Sequence, residues 1–265
     1  MKSVSTLALA LAIAGVLSGA AAAQGVGELE QYVSGSAGFN FQTDSDNDGV
    51  FTDDFVTGDG VAVPAGTTLP AGTDLGWTTE FDTGLFLAGA YGVRINERFR
   101  VEGEISYTSA DVDTHTGVEA GGAALGPADT AVLLTGSAPL GVTVAETVAD
   151  GQGDITSVGY ALNGYYDFPI QGTAFTVYGG AGIGIAEVDV DYSPSDVQIV
   201  DDTEMVGFYQ LMAGGSYGFS DNVEFFTGYR FRQSEDAKTD SVLVPASLDI
   251  ENQQHILEAG VRYTF

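Results

Sequence analysis

Residues 98–110 run Arg98-Phe99-Arg100-Val101-Glu102-Gly103-Glu104-Ile105-Ser106-Tyr107-Thr108-Ser109-Ala110. Phe99, Val101, Ile105 and Tyr107 occupy odd positions, and Arg100, Glu102, Glu104, Ser106 and Thr108 occupy even ones. Side chains of an extended chain point to alternate faces, so this stretch is a strand with one oily and one ionic face. Charges of both signs in the middle of the strand suit the lumen of a membrane barrel better than the outer face of a soluble sandwich.

The same two-residue rhythm recurs in both directions. In 31–41, Val33, Gly35, Ala37, Phe39 and Phe41 oppose Tyr32, Ser34, Ser36 and Asn40. In 83–95, Leu85, Leu87, Tyr91, Val93 and Ile95 oppose Ala88, Ala90 and Arg94. Further on, Val158, Tyr160, Leu162, Tyr166 and Phe168 alternate with Ser157, Asn163 and Asp167, and Phe175, Val177, Ala181, Ile183 and Ile185 with Thr176 and a run of glycines. The glycines of 179–184 sit within a strand, where they make room for lumenal side chains. Tyr209, Leu211, Ala213, Tyr217 and Phe219 then oppose Gln210 and Ser216, and Val223, Phe225, Tyr229 and Phe231 oppose Glu224, Arg230 and Arg232. The final stretch sets Leu257, Ala259, Val261, Tyr263 and Phe265 against Gln254, Glu258, Gly260, Arg262 and Thr264.

Eight strands result, joined by linkers of two alternating kinds. Those at 95–98, 169–172 and 220–222 are short, and those at 42–80, 110–153, 188–203 and 234–251 are long. In hydrocarbon every backbone N–H and C=O must be paired internally, so a sheet spans a bilayer only when it closes. The expected fold is therefore all-β: an eight-stranded antiparallel transmembrane β-barrel with short periplasmic turns and long extracellular loops. Phe99, Phe168, Phe175, Phe219, Phe225 and Phe265 cluster near the short turns, with Tyr107, Tyr209 and Phe231 roughly ten residues further along, as two interfacial girdles require. A ten-stranded alternative would add 130–137 and 141–148 as a pair, but these lack aromatic residues and read better as a loop or extramembrane hairpin.

Composition narrows the rest. The 265 residues carry 37 Asp+Glu against 8 Lys+Arg, a net charge of −29, which excludes a nucleic-acid binder working through a basic face. The absence of cysteine excludes disulfides and thiolate metal sites. A hydrophobic share of 44% argues against disorder. Residues 1–23 read as a cleaved signal peptide, with Lys2, an apolar run from Leu7 to Leu17 and Ala20–Ala23 before Gln24, leaving 24–265 as the barrel domain.

The closing strand Leu257–Phe265 and the hairpin Asp82–Asp113 resemble the small outer-membrane barrels of the OmpA-like and opacity-protein type. The resemblance covers roughly residues 31–265 and implies the outer membrane of a Gram-negative cell. It implies, too, that Leu257, Val261, Tyr263 and Phe265 form the terminal signal read by the barrel-assembly machinery. OmpA itself carries a peptidoglycan-binding domain after its barrel; this chain ends at the barrel, so cell-wall anchoring is not carried over.

By alternation, Arg94, Arg100, Arg230, Arg232 and Arg262 face the lumen together with Glu102, Glu104, Glu224 and Glu258. An eight-stranded barrel is just wide enough to be filled by side chains, and buried charges must pair. An Arg/Glu network that plugs the interior is the expectation, and a narrow porin gated by the same pairs is the alternative.

The long linkers carry most of the acidic residues and one basic residue, Lys238. Within them Asp44, Asp46 and Asp48, followed by Gly49, Val50 and Thr52, reproduce the start of an EF-hand-type calcium loop, although Phe55 stands where the bidentate Glu belongs. Divalent cations, calcium among them, are thus candidate ligands, bridging the loops to lipopolysaccharide phosphates in the surrounding lipid. Neither His115 nor His255 falls into a Ser-His-carboxylate pattern, so a lipid-modifying enzyme is the third reading, and a non-enzymatic monomer with a structural or surface-interaction role the first.

Overall fold

Alternation of the kind seen in 98–110 recurs in eight long strands, and these pair edge to edge until the ring they form is closed. The computed structural model describes residues 29–58 and 66–265; the expected signal peptide lies outside the described residues. In chain order the strands are β1 (Glu30–Gln42), β2 (Ser45–Phe51), β3 (Phe55–Val56), β4 (Thr68–Leu69), β5 (Asp74–Phe81), β6 (Gly84–Arg94), β7 (Phe99–Ala120) and β8 (Ala123–Ala124). After helices α1 (Thr130–Thr135) and α2 (Val144–Val148) come β9 (Gly153–Pro169), β10 (Phe175–Tyr192), β11 (Val200–Gly218), β12 (Val223–Ser234), β13 (Ala237–Asp240), β14 (Ala246–Ile250) and β15 (Gln253–Thr264).

Eight of these close a ring in the order β6-β1-β15-β12-β11-β10-β9-β7, and β7 returns to β6. Every junction is antiparallel. The first and last strands meet with Val33 opposite Tyr263 and Phe39 opposite Leu257. The oily face points outward: Phe99, Phe168, Phe175, Phe219, Phe225 and Phe265 are exposed around one rim, and Tyr107 and Tyr209 nearer the other. Neighbouring rings of the lower girdle touch, as Phe175 does Tyr217 at 4.9 Å between centroids and Phe219 does Phe225 at 5.7 Å. On the inward face of β10, a Cβ at Gly182 would collide with Asn163 and one at Gly184 with the Phe208 ring, so these positions have space only for hydrogen.

The long linkers depart from the expectation of loops. β7 continues to Ala120, β10 to Tyr192, and β11 begins at Val200, so 188–203 is mostly paired strand with a short connection through Pro194–Asp196. The segments between β1 and β6 and between β12 and β15 fold into β2, β5, β13 and β14, which pair as β13-β14-β2-β5-β7. Together these elements build a cap on the extracellular end of the barrel.

Residues 130–137 and 141–148 form no strand pair, which removes the ten-stranded alternative. Their sequence caps helices instead. The Asp129 side chain accepts from Val132 N, Thr143 and Glu146 form a reciprocal capping box, and Gly136 takes the left-handed conformation that ends α1.

Candidate functional site

Alternation delivers five arginines and five carboxylates to the lumen, and the ring brings them into contact as two groups. Near the short turns, Arg100 Nε lies 3.2 Å from Asp167 Oδ2 and Arg100 Nη1 3.6 Å from Glu102. Arg94 reaches Glu224 at 2.8 Å and Asp167 at 3.3 Å, and Arg262 reaches Glu224 at 2.6 Å. Nearer the cap, Arg230 is forked across Glu104 and Glu258, donating to Glu104 Oε2 at 2.9 Å and Glu258 Oε1 at 3.1 Å. Arg232 donates to Gln210 Oε1 and Ser106 Oγ, with Glu104 at 3.7 Å. Arg100, Arg230 and Arg232 are 1–2% exposed.

Aromatic faces complete the packing. The Arg100 guanidinium lies 3.8 Å over the Tyr165 ring and Arg232 4.5 Å over Phe208, while Arg262 stands 5.1 Å from both Tyr32 and Phe226. Tyr32 also donates to Glu102 at 2.9 Å. A cavity of about 20 Å³ is left among these side chains, room for a water or two. The interior is packed, with charges matched in number and sign.

All nine lumenal residues expected from the sequence take part. Asp167 and Gln210 are additions: both sit on the polar face in the sequence, yet only the ring shows that Asp167 holds two arginines and that Gln210 serves Arg230 and Arg232. Alternation sets Tyr32 on the polar face, but the arginine contacts of Tyr32, Phe86, Tyr165, Tyr178, Phe208 and Phe226 come only from the ring, because an aromatic residue gives no local sign of an arginine on another strand. Arg98 lies outside the lumen, exposed at a short turn beside the Tyr166 hydroxyl.

Sequence comparison matches residues 54–264 to the model of a family described as surface antigen. The chain belongs to the surface antigen family. This surface antigen has no match among the curated proteins. Among solved structures, the outer membrane protein OprG from Pseudomonas aeruginosa superimposes with a TM-score of 0.51 at 16% identity, covering 89% of this chain and 96% of OprG. Neisserial surface protein A aligns with a TM-score of 0.42 at 16% identity over 89% of this chain and 97% of its own. OprG supports the fold alone, and with the family match the surface antigen is a β-barrel of the Gram-negative outer membrane.

The residues expected to form a calcium loop do not curl. Ser45 to Phe51 is a regular strand of the surface antigen's cap, paired with β5 and β14. Asp46 and Asp48 project outward while Asn47 is buried against Thr79, its Nδ2 2.7 Å from Thr79 Oγ1. An EF-hand loop must wrap its ligands around one ion; pairing on both edges holds this segment extended. Asp44 precedes the strand, Val50 lies outward on it and Thr52 follows it. No group of three or more His, Asp or Glu side chains poised for a metal occurs among the described residues.

Leu257, Val261, Tyr263 and Phe265, the residues of the terminal pattern, all project outward from the last strand and its end. Of the histidines, His255 faces lipid beside Tyr229, its Nδ1 2.6 Å from the phenol oxygen. His115 faces the interior of the cap. A β-bulge at Asp113, where Phe81 pairs with Val112 and Glu80 with Thr114, turns it inward from the face that alternation would assign. Among the described residues neither ring is hydrogen-bonded to a serine or a carboxylate.

Proposed function

We propose that the protein is a non-conducting anchor in the outer membrane that presents a folded, acidic cap for contacts at the cell surface. One observation carries this reading: five arginines, four of them buried, and five carboxylates interlock across the lumen and leave about 20 Å³ among them. A solute path would require several of these pairs to part at once, and unpairing buried charge is costly. The closed ring has no free strand edge in the membrane, which suits a monomer.

Refolded protein in planar bilayers is the direct test. No stable conductance steps are expected, and sustained large openings would restore the narrow porin in place of the plug. No pairing of histidine with serine and carboxylate supports a hydrolytic role among the described residues, so lipid A incubated with the protein should keep its mass spectrum.

The cap meets other molecules through its outer face, where Asp46, Asp48, Asp111, Asp189 and Asp201 are exposed. Surfaces of like charge repel, so contact with lipopolysaccharide phosphates calls for divalent cations spread over this face rather than for a single coordinating loop. Lipopolysaccharide co-sedimentation should rise with millimolar magnesium or calcium and fall with chelator. Retention that ignores both would remove the cation from the reading.

A further inference from the structure

The cap repeats the closure of the membrane ring with the two faces exchanged. Beyond the lipid, β7, β9, β10 and β11 stay paired side by side, and β5, β2, β14 and β13 follow one another from the other edge of β7. The gap left between β11 and β13 is tied at both ends, by Glu235 N to Gly207 O at 2.8 Å and by Val242 N to Ile199 O at 2.9 Å. The cap is thus a second, short cylinder. Its inward side chains, Val188, Val190, Val200, Val206, Leu248 and Ile250 among them, form an apolar core in place of an ionic one.

At the open end of that core the packing stops short. A cavity of about 130 Å³ is walled by β5, α1, α2 and the β13–β14 turn. Leu75, Trp77 and Ile199 line it and also pack against the core, so it is the mouth of the same apolar interior. The cover is thin. Helix α1 has six residues and no buried side chain, although Ala131, Val132, Leu133 and Leu134 run consecutively in it. Leu75, Trp77, Val118 and Val197 are likewise only half-buried. A packed interior leaves few voids larger than a water molecule, so these side chains have contact surface to spare.

The chemistry of the wall selects the occupant. Among the described residues no Asp, Glu, Lys or Arg lines the cavity. Thr130 and Thr147 bond to each other at 2.8 Å, Thr57 donates to the Thr67 carbonyl, and Trp77 Nε1 donates to Thr79 Oγ1 at 3.1 Å. His115 offers no nitrogen, since Nδ1 stands 2.8 Å from Thr79 Oγ1 and Nε2 is wholly buried. What faces the space is carbon. A polar atom placed there would leave water without gaining a partner, whereas hydrocarbon gives up nothing. The size is close to the about 150 Å³ at which an apolar cavity stays dry and admits benzene.

We propose that the mouth of the cap is a binding site for a small hydrocarbon, a single five- or six-membered ring without polar substituents, held by apolar contact alone.

The lone tryptophan of the chain, Trp77, lines the cavity and makes emission a local readout. The full protein in lipid nanodiscs would be titrated with cyclopentane and with tetrahydrofuran, the same ring with a methylene replaced by oxygen. Neither absorbs where tryptophan does, and empty nanodiscs serve as the partition control. Saturable binding of cyclopentane is expected, with Kd on the order of 1 mM or tighter for so few atoms. Tetrahydrofuran should bind at least about tenfold more weakly, because its oxygen finds no donor.

Leu133→Phe and Val197→Phe extend half-buried wall residues into the space, and each should weaken cyclopentane binding at least about tenfold. Leu140→Phe, on the exposed loop after α1, should leave it unchanged. Near-UV circular dichroism of Trp77 verifies that the cap has folded in each variant. Absence of saturable cyclopentane binding by the wild type, unchanged binding by the correctly folded filled variants, or an equal loss in Leu140→Phe overturns the site. Tetrahydrofuran binding as tightly as cyclopentane overturns the hydrocarbon class. None of these outcomes bears on whether the lumen conducts.

Discussion

Strand β10 passes through two environments, and its two ends are built on opposite rules. In its lower half Phe175, Val177 and Ile183 face outward and are 54%, 51% and 69% exposed, while Thr176, Tyr178 and Gly182 face inward. In its upper half Glu187, Asp189 and Asp191 occupy the same outward face, and Ala186, Val188, Val190 and Tyr192 are buried within. The partner strand makes the same exchange, from outward Tyr209 and Leu211 to outward Asp201, and from buried Gln210 to buried Val206 and Val200. Backbone, pairing and register do not change across the boundary. Only the solvent does: hydrocarbon accepts carbon outside and forces charge into the lumen, whereas water reverses both preferences. One continuous sheet thus serves as a membrane protein below and a soluble β-protein above, with Val188, Val190, Tyr192, Leu248 and Ile250 in the core of the upper part.

Breaking the two cores should therefore reveal different chemistry. The largest effect is expected in the lumen, where Arg230→Met strands Glu104 and Glu258 and should lower unfolding stability by about 3–5 kcal/mol, read by urea titration of heat-modifiable migration. Adding Glu104→Leu should recover part of that loss; a double variant worse than the single would contradict the pairing. Next, an arginine placed outward on β10 should be tolerated or not according to height. Ile183→Arg should cost about 2–4 kcal/mol in the bilayer, and Asp189→Arg, six residues along the same face, within about 0.5 kcal/mol. Equal costs would erase the boundary.

The third effect belongs to the cap. Burial holds His115 down to about 4 against an ordinary histidine value near 6.5. Between those values the unfolded chain binds the extra proton, so the stabilising contribution is full above pH 6.5 and is lost as pH falls toward about 4. The loss reaches up to about 3 kcal/mol, followed by Trp77 emission and by its absence in His115→Phe. A wild-type profile no steeper than that of the variant over this window would show His115 to be solvated. Smallest of all, Asp46→Asn with Asp48→Asn should leave unfolding nearly unchanged, and millimolar calcium should shift wild type and variant alike. A calcium-dependent gain confined to the wild type would mean that the strand can give way to a loop after all.

Much of this could be read residue by residue. Phe99 to Tyr107 announces a two-faced strand without any partner in view, because the period of side-chain direction is a local property of extended backbone. The outward aromatics, the short turns and nine lumenal charges follow from the same rule. Its limit is where the face changes meaning. Val188, Val190 and Tyr192 continue the alternation, but no local cue says that the apolar side has moved indoors, and the acidic neighbours make the segment resemble a loop. Likewise Asp44–Thr52 has the spacing of a cation loop, and only edges offered by β5 and β14 hold it straight.

The amino-acid order by itself determined the eight strands of the membrane ring, the closed class of sheet they require and the signs of charge that line its interior. These depend on periodicity and on the demand that every backbone group in lipid be paired. The tertiary structure alone decided which arginine meets which carboxylate, that Asp167 and Gln210 join them, and that a bulge at Asp113 turns His115 into an apolar chamber. Contacts between residues far apart in the chain are set by register and closure, and one inserted residue reverses a face.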